Sequence, residues 1–250
     1  MSVDLTTILV GIALLFAAFV KGTSGMGFPL IATPMVALLL DIRLAITILI
    51  IPNIVMDVAQ VFRGGFPSAV LRRFAWFFVL TVAGVFLGTK VLVTLPLWAL
   101  NLGLGIMVFV FVVSNWLRFE FTISPRLEKI LNPPAGFISG FLNGLTNAAG
   151  PALAIYLYSL RLEKREFIKS IATMFMVTKL SQLAAVSTWN LFNRSTLALS
   201  LEVTLFILLG FYAGLKTQDR INKETFSRWL LLLLFIVGVT LILRALTQAG

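Results

Sequence analysis

Three charged side chains sit where charge is costly. Lys21, Asp57 and Lys179 lie in or directly against long apolar runs, whereas the other charges fall in gaps or near run ends. An ionised group held away from water needs a partner, a cavity or a ligand. Lys179 could attract or gate an anion. Its other readings are an ion pair with Asp57 or a stem that snorkels to the interface. Asp57 could take up a coupling proton, since burial favours the neutral carboxyl and a nearby ammonium favours the carboxylate. Lys21 could draw an anion in or cap a helix C-terminus. Gln60 and Gln182 could hold an oxyanion through their side-chain N–H groups, or bridge helices. Asn53 follows Pro52 and could line a cavity where the proline opens the helix.

Two turn signals accompany these residues. The first is GTSGMGFPLIATP, Gly22 to Pro34; the second is NAAGP, Asn147 to Pro151. Glycine lets a ligand approach the backbone closely. Pro29 and Pro151 suit the first turn of an outgoing helix, where a missing N–H is no loss. The free N–H groups of such a turn favour anions. Thr23, Ser24, Gly25, Met26 and Gly27 on one side, and Thr146, Asn147, Ala148, Ala149 and Gly150 on the other, are therefore the candidate substrate-binding turns. Gln60, Gln182 and Lys179 join them. Asp57, Lys21 and Asn53 are candidates for coupling or gating. The chemistry is that of a small oxyanion site.

The elements that carry these residues are apolar helices. Of the residues 59% are hydrophobic and 12% charged, with a mean hydropathy of +1.02. That composition predicts an all-α polytopic membrane protein. The first run is followed by many more and has no basic leader, which argues against a signal peptide. With neither Cys nor His, the chain has no thiol chemistry, and the commonest metal ligand and general base are missing. No metal and no cofactor are expected. The net charge of +10 is read as membrane orientation, with no nucleic-acid partner.

The apolar segments are Leu5–Val20, Phe28–Leu40, Leu44–Phe62, Phe74–Val93, Leu97–Leu117, Pro133–Leu145, Pro151–Leu160, Phe167–Trp189, Leu197–Leu215 and Phe226–Leu246. The five tryptophans fall near segment ends, where indoles prefer to lie. Fourteen of the 20 Lys and Arg lie in the gaps 63–73, 118–132, 161–169 and 216–228, which can share one side; Arg43, Lys90, Arg194 and Arg244 fall on the other. The positive-inside rule makes the rich side cytoplasmic and puts both termini outside. The expected location is a cell membrane, the bacterial inner membrane, with the lipid bilayer as partner.

An offset of 122 residues pairs Gly22 with Gly144, Pro29 with Pro151, Arg43 with Arg165, Asp57 with Lys179, Gln60 with Gln182 and Gly88 with Gly210. Two inverted-topology repeats of about five helical segments each follow: 1–117, a cytoplasmic linker 118–132, and 133–250. Pro133–Leu145 spans about 20 Å as helix, short of a hydrocarbon core of about 30 Å. The second turn is thus expected in a re-entrant hairpin, and the first in a matching re-entrant or fully spanning pair, the two meeting near the midplane. Gly84, Gly88, Gly210 and Gly214 read as helix packing or a subunit contact in a homo-oligomer.

In KGTSGMGFPLIATP and in GFISGFLNGLTNAAGPALAIYLYSLRLEKREF the chain resembles the sulfite exporter TauE/SafE family of anion permeases. The resemblance marks Gly22, Gly25, Gly27 and Pro29, then Gly140, Gly144, Gly150 and Pro151. A glycine triplet typical of the family is reduced here to Gly-Met-Gly at 25–27 and to Asn-Ala-Ala-Gly at 147–150. The resemblance implies export of sulfite, other sulfur oxyanions or organosulfonates, or carriage of small carboxylates. Alternating access is the expected mechanism, with proton coupling left open, and an anion channel is the competing one. An intramembrane enzyme would need Ser181 or Ser24 beside Lys179 or Lys21; no such motif is visible, and the chain is not expected to be an enzyme.

Overall fold

The computed structural model describes residues 5–24, 27–62, 65–117, 122–217 and 223–249. Among them there are helices and no strands: α1 (Leu5–Ser24), α2 (Phe28–Ala37), α3 (Ile42–Ile48), α4 (Ile50–Phe62), α5 (Ser68–Arg73), α6 (Ala75–Thr94), α7 (Leu97–Leu117), α8 (Pro125–Thr146), α9 (Gly150–Ser159), α10 (Lys164–Thr188), α11 (Arg194–Thr217) and α12 (Lys223–Ala249). Six stretches are long and apolar enough to cross a membrane: α1, α3 with α4, α6, α7, α11 and most of α12. The protein is therefore a multi-pass helical membrane protein.

The two long helices outside that set, α8 and α10, are more polar and bring Asn143 and Lys179 into the bundle. Each packs against an apolar neighbour: α8 along α6, and α10 along α4 and α6. The outer helices turn large apolar side chains outwards, among them Leu205, Leu209, Ile236 and Leu243. Trp76, Trp98, Trp116 and Trp229 are exposed near helix ends, as an interfacial belt requires.

Among the contacts between distant parts of the chain, α1 lies along α11 and α6 along α8. Both depend on glycine. A Cβ at Gly140 would stand 2.2 Å from the Thr81 carbonyl oxygen, and one at Gly84 would stand 2.2 Å from that of Phe137. Gly210 and Gly214 do the same for α11, against the Leu15 and Phe19 carbonyls. Backbones this close gain dispersion that side chains would block. The small-residue stripes are thus packed inside the chain, and do not supply the subunit contact that was their second reading.

Two expectations need correction. Helix α8 begins at Pro125, not Pro133, and has 22 residues, about 33 Å at 1.5 Å per residue. It is no half-helix. Ser124 caps it by accepting from the Leu127 N–H at 3.4 Å, and Pro125 opens it. Its first two turns are polar, so they read as a gap, and helix runs through Pro133 and Pro134. Residues 125–132 of the expected linker belong to this helix. The helices that follow the two turns, α2 and α9, have ten residues each and are too short to span.

The third segment is broken at Leu49, between α3 and α4. Pro52 has no N–H for the Ile48 carbonyl one turn back. Ser200 of α11 fills the vacancy, donating its Oγ–H to that carbonyl at 2.7 Å. Elsewhere two arginines bind helix C-terminal carbonyls. Arg43 donates to Leu92 and Leu95 at the end of α6, at 3.1 and 2.6 Å. Arg244 donates to Ala37 and Leu38 at the end of α2, at 3.1 and 2.9 Å.

Candidate functional site

Each turn feeds a short helix. Gly27 precedes α2 with φ 98°, a left-handed conformation natural to glycine. Asn147 is its counterpart after α8, with φ 64°; asparagine tolerates that region better than other side-chain-bearing residues. Pro29 and Pro151 lie in the first turns of α2 and α9, as expected. Gly25 and Met26 lie outside the described residues.

The second turn closes over a lysine. Lys179 of α10 donates to Asn143 Oδ1 of α8 at 2.6 Å, to Gln182 Oε1 at 2.8 Å, and to Asn147 Oδ1. Three acceptors around one nitrogen match the three N–H bonds of an ammonium. Every partner is a neutral amide oxygen. The amides are held in turn: Asn143 Nδ2 donates to Gln182 Oε1 at 2.9 Å, and Gln182 Nε2 to the Asn143 carbonyl at 3.0 Å. Asn147 Nδ2 donates to Thr33 Oγ of α2 at 2.8 Å, so the turn after α8 is tied to the short helix after the first turn.

The first half is built differently. Lys21, near the end of α1, pairs with Asp57 of α4 and donates to Asn53 Oδ1 at 2.9 Å. Asp57 therefore belongs to Lys21, and the pairing with Lys179 is not the one formed. The C-terminal cap reading of Lys21 gives way to this ion pair. At the 122-residue offset Lys21 corresponds to Asn143 and Asp57 to Lys179. A cation in the first half matches an amide in the second, and a carboxylate in the first half matches a cation in the second.

Lys21, Asn53, Asp57, Asn143, Asn147, Lys179 and Gln182 each expose 1% of their surface or less. The cluster is closed off from solvent. With Lys21, Asp57 and Lys179 all ionised, the cluster carries one positive charge. Asn53 Nδ2 and Asp57 Oδ2 are buried with no hydrogen-bond partner.

The remaining candidates stand apart from this chemistry. Thr23 and Ser24 bond back to the Val20 carbonyl at 2.9 and 2.8 Å, and Ser24 is exposed. Thr146 Oγ–H donates to the Leu142 carbonyl at 2.9 Å. Ala148, Ala149 and Gly150 are buried backbone positions of the turn. Gln60 is half-buried and its Oε1 has no partner; it does not mirror Gln182. Asn143 and Thr33 were missed. Thr33 carries no sequence signal, but Asn143 does, as the offset mate of Lys21.

At the end of α5, Arg73 makes a two-pronged contact with Glu128 of α8, at 2.8 and 2.9 Å, and reaches Glu166 of α10 at 2.5 Å. The Glu128 hydrogen bonds above all hold the guanidinium proton more firmly than usual. Next to it Asn132 donates to the Arg73 carbonyl at 3.5 Å and accepts from the Tyr156 hydroxyl. The Tyr156 ring stacks on Phe77, centroids 5.9 Å apart.

An outer layer of apolar helices around buried cations and amides defines a multi-pass membrane protein with a polar interior. The chain belongs to the sulfite exporter TauE/SafE family, whose model matches residues 10–241. No curated protein and no solved structure gives a significant match.

Proposed function

We propose that the protein exports a small anion, sulfite or a related sulfur oxyanion or organosulfonate, by alternating access. The observation that carries this is Lys179: a buried ammonium among neutral amides, in a cluster with one positive charge to spare. A fixed excess cation away from water is stabilised by an anion. The family supplies the sulfur class of that anion.

The fold is read as two inverted repeats, with the turns after α1 and α8 meeting near the membrane midplane. The reciprocal packing of α1 on α11 and α6 on α8 supports this, as does the Asn147–Thr33 bond between the halves. The protein is placed in the cell membrane with both termini outside and the Arg73 end of the bundle cytoplasmic, following the basic gaps. Arg73, Asn132, Tyr156 and Phe77 then close the inner side. Near-complete burial of the polar cluster favours a carrier over a channel, since a channel needs a continuous wet path.

Proteoliposomes preloaded with unlabelled sulfite should take up radiolabelled sulfite faster than empty ones, and the flux should saturate. Flux that neither saturates nor responds to preloading would indicate a channel.

A further inference from the structure

We infer that Asp57 is the protein's proton site and that its proton admits the anion by freeing Lys21. This rests on the transport reading above. With Asp57 ionised, Lys21 is spent: its ammonium is paired to Asp57 and Asn53. Two acceptors leave one of its three N–H bonds without a described partner, and the adjacent Asn53 Nδ2 has none. Both donors are 1% exposed or less. Buried donors without acceptors are costly unless a ligand oxygen arrives. Beside them the unpaired Asp57 Oδ2 is a buried lone-pair site, and a carboxylate there would repel an incoming oxyanion.

A proton added to Asp57 resolves both problems. It cancels the repulsion and turns Lys21 from an ion-pair partner into a free cation. The anion oxygen then seats on Lys21 Nζ and Asn53 Nδ2. Proton and anion bind together and favour one another. Sulfite with one proton moves as the equivalent of bisulfite, whose remaining charge still leaves down an inside-negative potential.

A proton fits this site better than a metal cation. Among the described residues no group of three carboxylates surrounds Asp57, and its neighbour is an ammonium. The charges that act on Asp57 are Lys21 of α1 and Lys179 of α10. On the other elements packed against α4, Arg194, Glu202 and Lys216 of α11 are exposed, and Arg43 of α3 binds the end of α6. On α10, Arg165 and Glu166 are exposed and Lys169 is half-buried in its first turns.

The test is the pH profile of sulfite counterflow in wild type and Asp57→Asn, each checked for a single folded species in detergent. Sulfite's own titration is common to both and cancels in their ratio. Wild-type flux should fall relative to the variant as pH rises through the titration of Asp57, by at most about tenfold per pH unit, the limit for one required proton. A constant ratio, with saturable flux in both, overturns the proton site and leaves the transport reading standing. Absence of saturable flux in wild type overturns the transport reading and this one with it. If Asp57→Asn does not fold, Lys21→Gln carries the test. Without its ammonium Asp57 keeps its proton, so the pH step should vanish while anion affinity falls. A retained step overturns the proposal.

Discussion

A lysine at membrane depth is legible in any sequence, because its cost is the same wherever it occurs. Lys179 and Asp57 could be singled out on that ground alone. Their partners could not. Lys179 is held by amides, and an asparagine in an apolar run costs little enough to pass unnoticed. Asn147 carries three duties at once: a left-handed backbone, an acceptor for Lys179 and a donor to Thr33. Substituting Asn147→Gly separates them. Glycine keeps the backbone at φ 64° but removes both side-chain bonds. The expected variant folds, and its sulfite affinity changes by roughly tenfold or more, the worth of a hydrogen bond to a charge. Unchanged affinity in a folded Asn147→Gly would show that the turn serves α2 and not the anion.

Helices were legible where hydrophobicity and helix coincide. The expected Leu97–Leu117 is α7 without change, and Pro29 and Pro151 open α2 and α9. The start of α8 was hidden because its first turns contain Arg126, Glu128 and Lys129, residues that face an aqueous end rather than lipid. The break at Leu49 was displaced from Pro52 because a proline frees the carbonyl a turn before it. Packing between elements is sharper than either. Gly140→Ala should push a methyl into the Thr81 carbonyl and lower stability by about 1–3 kcal/mol, the cost of overpacking. Gly103→Ala in α7 meets nothing within 4 Å and should be neutral or stabilising by up to about 1 kcal/mol, as helix propensity favours alanine. Thermal unfolding in detergent measures both; equal midpoints would remove close α6–α8 packing as a determinant.

At the scale of the molecule, polarity is arranged in two tiers. One is the buried cluster around Lys21, Asp57 and Lys179. The other is the Arg73 network, which joins α5 to α8 and α10 at one end. A carrier that alternates must break one closure while keeping another, and Arg73 is positioned to be the breakable one. Its carboxylates are only partly buried, so each bond is cheap to open. The chain has no cysteine, which makes a single reporter thiol clean. Thr173→Cys places one at a fully buried site on α10. Adding Arg73→Gln should raise its maleimide labelling from the Arg73 end of the bundle several-fold; an unchanged rate would separate Arg73 from closure.

The central claim is that the buried charge of Lys179 stabilises the transported anion. Its direct test is radiolabelled sulfite flux into proteoliposomes containing wild type or Lys179→Ala at equal density, with folding verified. The account predicts saturable flux in wild type and a loss of roughly ten- to a hundredfold in flux at low sulfite for the variant, the scale of one lost charge-assisted interaction. Equal flux from both proteins would contradict it and leave Lys179 as a strut between α8 and α10.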